Sequence, residues 1–490
     1  MDGTVAMRSL FGSNTSAPTS FSQERTLAGI ETGARRGQYL TFHHAEVIRI
    51  TGRIDIDALK TALARLISRH PALRTGFIPS PKIRLQDRLH WIAQPFVALE
   101  PMYLQRVSDV QDICLNIRDI RSDLHSFKGP DLLRILQQEY NLPFDLGSPP
   151  LLRATLFQTS ADSYLLMLVI HHLNTDMISQ RILRREFVTL YEAISSGREA
   201  SLPRLFGSFP EYAAEQRSMV KRSQSPEVKS LRDVWLKYES SLPQYADFPA
   251  SPSEVKELSL GFEEICLGNM LSAEVTTVAR QMRVSLFVVL LAAFMVWLRR
   301  WTGRTSVATW INVANRNDAR YHGVVGMFVN MRLIALRLSP GILWSTIIEH
   351  LKLAIHDIRK AENVSMAYIL ASLRHPIGVS GLYTLFDFYG PDTTLIEVGS
   401  QCGVIMERLP FGLRRQLGGG AGLEMGVRLT TEGINVSLKY LKNRIPNETA
   451  KSMLSDFYIT AQDLAARTNS PNLFLDPAHK NASGLGRRRF

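Results

Sequence analysis

Apolar and polar positions along this chain fall into alternating strand-like and helix-like spacings, and one stretch organises the rest. Residues 164–170 (YLLMLVI) form an unbroken apolar run, long enough for a strand buried on both faces. The run stops at His171–His172, and Asp176 follows four residues after the second histidine. From Ile178 the spacing changes, with Leu183, Phe187, Leu190, Tyr191 and Ile194 at helical intervals as far as Gly197. The polar cluster His171, His172, Asn174, Thr175 and Asp176 therefore sits in a strand-to-helix turn, which lifts side chains off a rigid scaffold. Adjacent histidines at a strand end point to opposite faces, so at most one of them meets a cleft.

The remaining pattern predicts a mixed α/β (α+β) chain. Residues 39–50 read as a strand; its own pair, His43–His44, lacks an acid at the later pair's spacing and reads as structural. Residues 54–70 read as a helix with Asp55 as its cap, a stripe of Leu59, Ala62, Leu63, Leu66 and Ile67, and Pro71 as its stop. Residues 153–159 pair with 164–170 as a hairpin that delivers the histidines. Residues 201–228 read as an irregular polar crossover between lobes. Beyond it, Ser285 is expected to cap a helix over 286–301 that ends at Gly303, followed by strands at 306–313 and 382–388. A hairpin over 423–430 and 434–440 turns at Glu432–Gly433, and a last helix covers 448–466. Residues 1–19 read as a flexible leader and 477–490 as a tail, and no fixed-period repeat is evident.

Composition narrows the function classes. At 490 residues, 45% hydrophobic and 21% charged, this is an ordinary globular composition spread over more than one core. The net charge of +12 is dispersed, without a basic run interleaved with aromatics, so no nucleic-acid partner is read from it. Cys114, Cys266 and Cys402 lie far apart with no CxxC, which argues against a zinc site or a disulfide framework. The first 30 residues hold no apolar signal core, and the run 286–298 is too short to span a bilayer and reads as a buried helix. The expectation is a cytoplasmic protein with no metal and no membrane partner.

The motif HHLNTDM (171–177) resembles the HHxxxDG motif of nonribosomal peptide synthetase condensation domains, members of the chloramphenicol-acetyltransferase-like acyltransferases. Five further stretches resemble signatures of that family in the family's order: SFSQERTL (20–27), RHPALRTGF (69–77), PFDL with PLLRA (143–154), FPEYAAEQR (209–217) and ANRNDARYHGVVGMFVN (314–330). Residues 374–376 and 382–388 look like degenerate later signatures, so the resemblance covers about 20–466. Two departures stand out: Glu215 where the family often has an aromatic, and Met177 where it has glycine. LGGGAGL (417–423) lacks the serine of a carrier site, and the chain reads as a free-standing condensation enzyme.

The resemblance implies two acetyltransferase-like lobes in a V-shaped pseudodimer, 20–200 and 229–476, with a tunnel between them. It implies a donor thioester on the phosphopantetheine arm of a partner carrier protein, a small or carrier-bound amine as acceptor, and no cofactor held by the chain itself. His172 then takes the base or amine-orienting role, and His171 is structural. Asp176 pairs with Arg316 as an ion pair shaping the loop, Asn330 lines the tunnel, and Met177 narrows the donor channel, marks an enzyme with an unusual donor, or marks a disabled site. Amide formation in natural-product biosynthesis is the leading expectation. Ester formation, an acyl-CoA donor, and a non-catalytic partner-binding protein are the alternatives.

Overall fold

The apolar run before the histidines is the centre of a six-stranded sheet. A computed structural model describes residues 16–35, 42–82, 100–109, 114–123, 130–221, 226–238, 241, 260–360, 364–366, 384–391, 395–396, 404–409 and 422–468. The readings at 374–376, 417–421 and 477–490 lie outside these residues. The chain forms two units: Met1–Ser223 with Ala314–Val329 and Thr393–Gln416, and Gln224–Val313 with Asn330–Asp392 and Leu417–Phe490. Two later segments thus belong to the first unit, whereas the sequence reading gave all of 229–476 to a second lobe.

In the first unit, β1 (Ser16–Pro18), β3 (Thr75–Pro79) and β4 (Tyr103–Val107) form a small antiparallel sheet in the order β1-β4-β3. The large sheet uses β2 (His43–Gly52), β5 (Leu115–Asp119), β6 (Leu152–Ser160), β7 (Ser163–His171), β12 (Leu395–Ile396) and β13 (Val404–Arg408), in the order β12-β13-β2-β7-β6-β5. Only β5 and β6 run parallel. The helices of this unit are α1 (Phe21–Arg35), α2 (Ile56–Arg69), α3 (Pro130–Asn141), α4 (Met177–Ser195) and α5 (Phe209–Lys221).

Strand β7 is buried on both faces, as its unbroken apolar run requires. Leu166, Leu168 and Ile170 join Ile48 and Ile50 of β2 in packing on α2 and α4, while Leu165, Met167 and Val169 pack on α3. Helix α2 begins where Asp55 accepts the N–H groups of Asp57 and Ala58, as its sequence predicts. The segment from Tyr321 to Phe328 adds Val324, Val325 and Met327 to the same core.

The second unit has one six-stranded sheet, β10-β9-β11-β14-β15-β8. Its strands are β8 (Leu260–Cys266), β9 (Ser306–Val313), β10 (Asn330–Arg337), β11 (Thr384–Pro391), β14 (Leu423–Thr430) and β15 (Gly433–Leu441). Besides α6 (Pro226–Tyr238), its helices are α7 (Gly268–Gln281), α8 (Leu286–Thr302), α9 (Trp344–Lys360) and α10 (Asn447–Ala466). The apolar run in α8 is a buried core helix, with every residue from Val288 to Leu298 at most 5% exposed. No single helix among the described residues is long and apolar enough to cross a membrane.

Three sequence expectations change here. Ser16–Pro18 is a paired strand rather than leader, because β4 supplies its hydrogen bonds. The stretch read as an irregular crossover is mostly helix, α5 and α6; its polar content reads as loop although apolar residues recur at helical steps, as at Val228, Leu231, Trp235 and Tyr238. Ser285 stands at the start of α8 with extended backbone but makes no side-chain cap bond, whereas Gly303 closes the helix at φ 68° as expected.

Candidate active site

The end of β7 is pinned by backbone before any side chain acts. His171 N–H donates to Leu151 O at 3.0 Å, and His172 N–H donates to Phe42 O at 2.7 Å. The chain then makes one tight turn, His172–Asn174, and enters α4 at Met177.

His171 turns toward packing. It is 3% exposed, its Nδ1 accepts Leu173 N–H at 3.2 Å, and its ring meets His43 edge-on at 5.6 Å between centroids. Burial, with His43 and His172 adding to it, holds His171 well below the ordinary histidine range. His43 is likewise pushed down by burial, to about 4, and sits 2.7 Å from Tyr140 O through its Nδ1. Both rings are neutral spacers in the core.

His172 faces the other way and is half-buried. Its Nδ1 lies 2.7 Å from Thr175 O and 3.0 Å from Nε2 of His44. A carbonyl oxygen only accepts, so Nδ1 carries the proton and the neutral ring keeps its lone pair on Nε2. That is the tautomer of a ring that takes up a proton at Nε2. The contact with His44 corrects the sequence reading, which found nothing polar converging on the first histidine pair. His44 opposes Ile170 in the register, and His172 is the diagonal neighbour on the same face. This long-range register has no local signal in the sequence.

Asp176 and Arg316 meet as expected, both almost fully buried, with Arg316 Nη2 at 3.1 and 3.3 Å from the two carboxylate oxygens. The carboxylate also caps α4, accepting Ser179 N–H at 2.7 Å on Oδ1, and takes Phe328 N–H at 3.0 Å on Oδ2. Arg316 donates onward to Tyr321 O, Val324 O and Ser179 Oγ at 2.6–2.8 Å and lies over the Phe328 ring. Burial lowers the Arg316 pKa and the Asp176 carboxylate opposes that; the guanidinium stays charged. Ser179, which the sequence reading passed over, completes the latch: its Oγ donates to Gly326 O and accepts Gly326 N–H.

The other motif stretches brace this turn. Gln23 donates to Leu173 O at 2.9 Å, and Asn174 donates to Thr75 O at 2.9 Å. Behind Gln23, Arg217 binds Glu24 at 2.5 Å and Thr19 O at 2.6 Å. His70 and Arg69 both reach Glu186 of α4, at 2.8 and 2.9 Å. These are fold-holding contacts.

Met177 opens α4 and is half-buried. Among the described non-glycine residues only Arg283 and Asn315 have positive φ, so position 177 does not need glycine's backbone freedom. Its N–H belongs to a first helical turn, which lacks intrahelical acceptors. Asn330 lies in the second unit, where its amide donates to Val364 O at 3.1 Å and accepts Met331 N–H and Met366 N–H. No cluster of three metal-ligating side chains occurs among the described residues.

The family model described as the condensation domain matches residues 13–387. Chondramide synthase of Chondromyces crocatus is 29% identical over 69% of this chain, and malpinin synthetase of Mortierella alpina is 28% identical over 66%. The matched regions span only 8% and 4% of those proteins. The first condensation domain of the calcium-dependent antibiotic synthetase, solved with a substrate analogue, superposes with a TM-score of 0.71 at 16% identity. It covers 95% of this chain and 99% of its own, a likeness of fold.

Two outcomes follow from this geometry. Arg316→Ala leaves the Asp176 carboxylate buried without its cation and destabilises the protein by ~3–5 kcal/mol. The double variant Asp176→Asn/Arg316→Met loses less than the two single losses combined, read from urea midpoints by circular dichroism. The buried histidines make the fold acid-sensitive: His43, His171 and His70, all lowered by burial, bind protons in the unfolded chain first. Stability is therefore full above about pH 6.5 and falls as pH drops toward 4, with His43 alone contributing ~3 kcal/mol to the fall. A urea midpoint unchanged between pH 7 and pH 4.5 contradicts this.

Proposed function

The chain belongs to the condensation-domain family, and we propose that it is an acyltransferase that joins a carrier-tethered acyl or aminoacyl thioester to an amine in nonribosomal peptide-type biosynthesis. The observation carrying this reading is His172, held half-buried with Nδ1 on the Thr175 carbonyl and its lone pair on Nε2. The relatives, named as a synthetase and a synthase, support the same class of chemistry.

In this reaction the amine nitrogen attacks the thioester carbonyl, and the C–N bond forms as the carbonyl oxygen takes up negative charge. The nitrogen must then lose a proton, which Nε2 of His172 accepts. Collapse breaks the C–S bond, and the departing thiolate takes the proton back. The donor arrives on the phosphopantetheine arm of a partner carrier protein, which is substrate here; the chain holds no cofactor of its own. Asp176 does not touch the reacting atoms in this scheme. It keeps the turn and the first turn of α4 in place through Arg316 and Ser179. We assign Asn330 to the substrate passage and the reaction to the cytoplasm.

Met177 is compatible with activity. The family glycine is replaced at a helical position that any L-residue adopts, and the backbone N–H is retained. The side chain then limits the room beside the donor.

The direct experiment mixes the protein with acyl-carrier thioesters or acyl-CoA and with amine or alcohol acceptors, and reads product by mass spectrometry. Amide from the carrier donor is the expected product; ester or CoA-dependent product reassigns the substrates, and no transfer with any pair defeats the reading. His172→Ala is expected to fold normally and lose about 10²–10⁴-fold in rate, with little change in substrate binding. Unchanged transfer in that variant removes its central residue. Met177→Gly is expected to broaden the range of accepted donors while leaving the best donor's turnover nearly intact, measured as relative kcat/KM across acyl lengths. An unchanged donor range shows that Met177 does not bound the donor.

A further inference from the structure

We propose that His44 is a positioning residue for His172, forming with it a histidine pair that holds the His172 ring and stabilises its protonated form. The inference rests on the reading of His172 as the proton-handling group. His44 Nε2 stands 3.0 Å from His172 Nδ1, and the two rings meet edge-on with centroids 4.4 Å apart.

The hydrogen-bond logic is closed by the Thr175 carbonyl. Because that oxygen requires a proton on His172 Nδ1, His44 must turn a lone pair toward the same N–H and carry its own proton on Nδ1. The His172 N–H is thus shared between two acceptors, a carbonyl oxygen and an imidazole nitrogen. When Nε2 takes a proton, the ring becomes imidazolium and its Nδ1–H a stronger donor. Both acceptors then stabilise the charged form that appears during transfer. With His44 in the opposite tautomer, two N–H groups would face each other.

Two residues along the same face of β2 lies Glu46, whose Oε1 is bound by Arg184 of α4 at 2.7 Å and by Arg408 of β13 at 2.8 Å. His43 and His171 point through the other face of the sheet and do not compete for this contact.

The test reads imidazole nitrogens directly and needs no acyl donor. Full-length protein carrying 15N-histidine is followed by long-range proton–nitrogen correlation, with the His172 signals assigned by their loss in His172→Gln. Wild-type His172 is expected as the Nδ1–H tautomer at pH 8. His44→Phe keeps a ring but no acceptor, so the midpoint of the His172 titration moves to lower pH by about 0.5–1 unit. His44→Gln, which returns an acceptor oxygen, restores it, and the acid limb of the transfer-rate profile moves in parallel. A wild-type Nε2–H tautomer at His172, or one common midpoint in all three proteins, overturns the proposal. If His44→Phe does not fold, His44→Leu takes its place and must show the same lowered midpoint. Loss of the catalytic reading would appear separately, as normal transfer by His172→Ala with the pair's signature intact.

Discussion

Everything at the candidate site depends on a buried carboxylate that cannot be left alone. Asp176 closes the turn after the histidines, and its two oxygens serve the first turn of α4, the Phe328 N–H and the Arg316 guanidinium at once. Such a pair adds little net stability compared with a well-packed apolar substitute, but losing one partner is costly. Its effect is therefore to specify arrangement. It fixes α4 against a segment 140 residues away, and with α4 the angle at which the His172–Asn174 turn leaves β7.

The division of labour between the adjacent histidines follows from strand alternation and the β2–β7 register. One face receives His43 and His171, which are buried, neutral and tightly packed. The other receives His44 and His172, which meet edge-on and where the Thr175 carbonyl sets the His172 tautomer. One residue of a pleated strand separates the packed pair from the half-buried one.

Much of this was legible in the sequence where the signal is local. The β7 run, the Asp55 cap, the hairpin into the histidines and the last helix all follow from period, capping and turn chemistry. Asp176–Arg316 came from motif resemblance and the rule that buried charges need partners. What was not legible is long-range. No local pattern says that β2 places His44 diagonally from His172, or that Gln23 holds the carbonyl of Leu173. The helices α5 and α6 were missed because the polar content of their stretch outweighs its helical spacing, and Ser16–Pro18 because a three-residue strand has no period to read.

The pairing of β13 with β2 has a consequence for how the molecule comes into being. Arg49 and Glu407, partners across that ladder, are 358 residues apart in the chain. At ribosomal speeds of about 5–20 residues per second, roughly 20–70 s separate their emergence. Throughout that interval one edge of β2 lacks its neighbour, and an open strand edge is a template for pairing with other chains. The nascent protein must therefore wait with its first sheet unfinished, which makes protection of that edge during synthesis a determinant of how much folded protein a cell obtains.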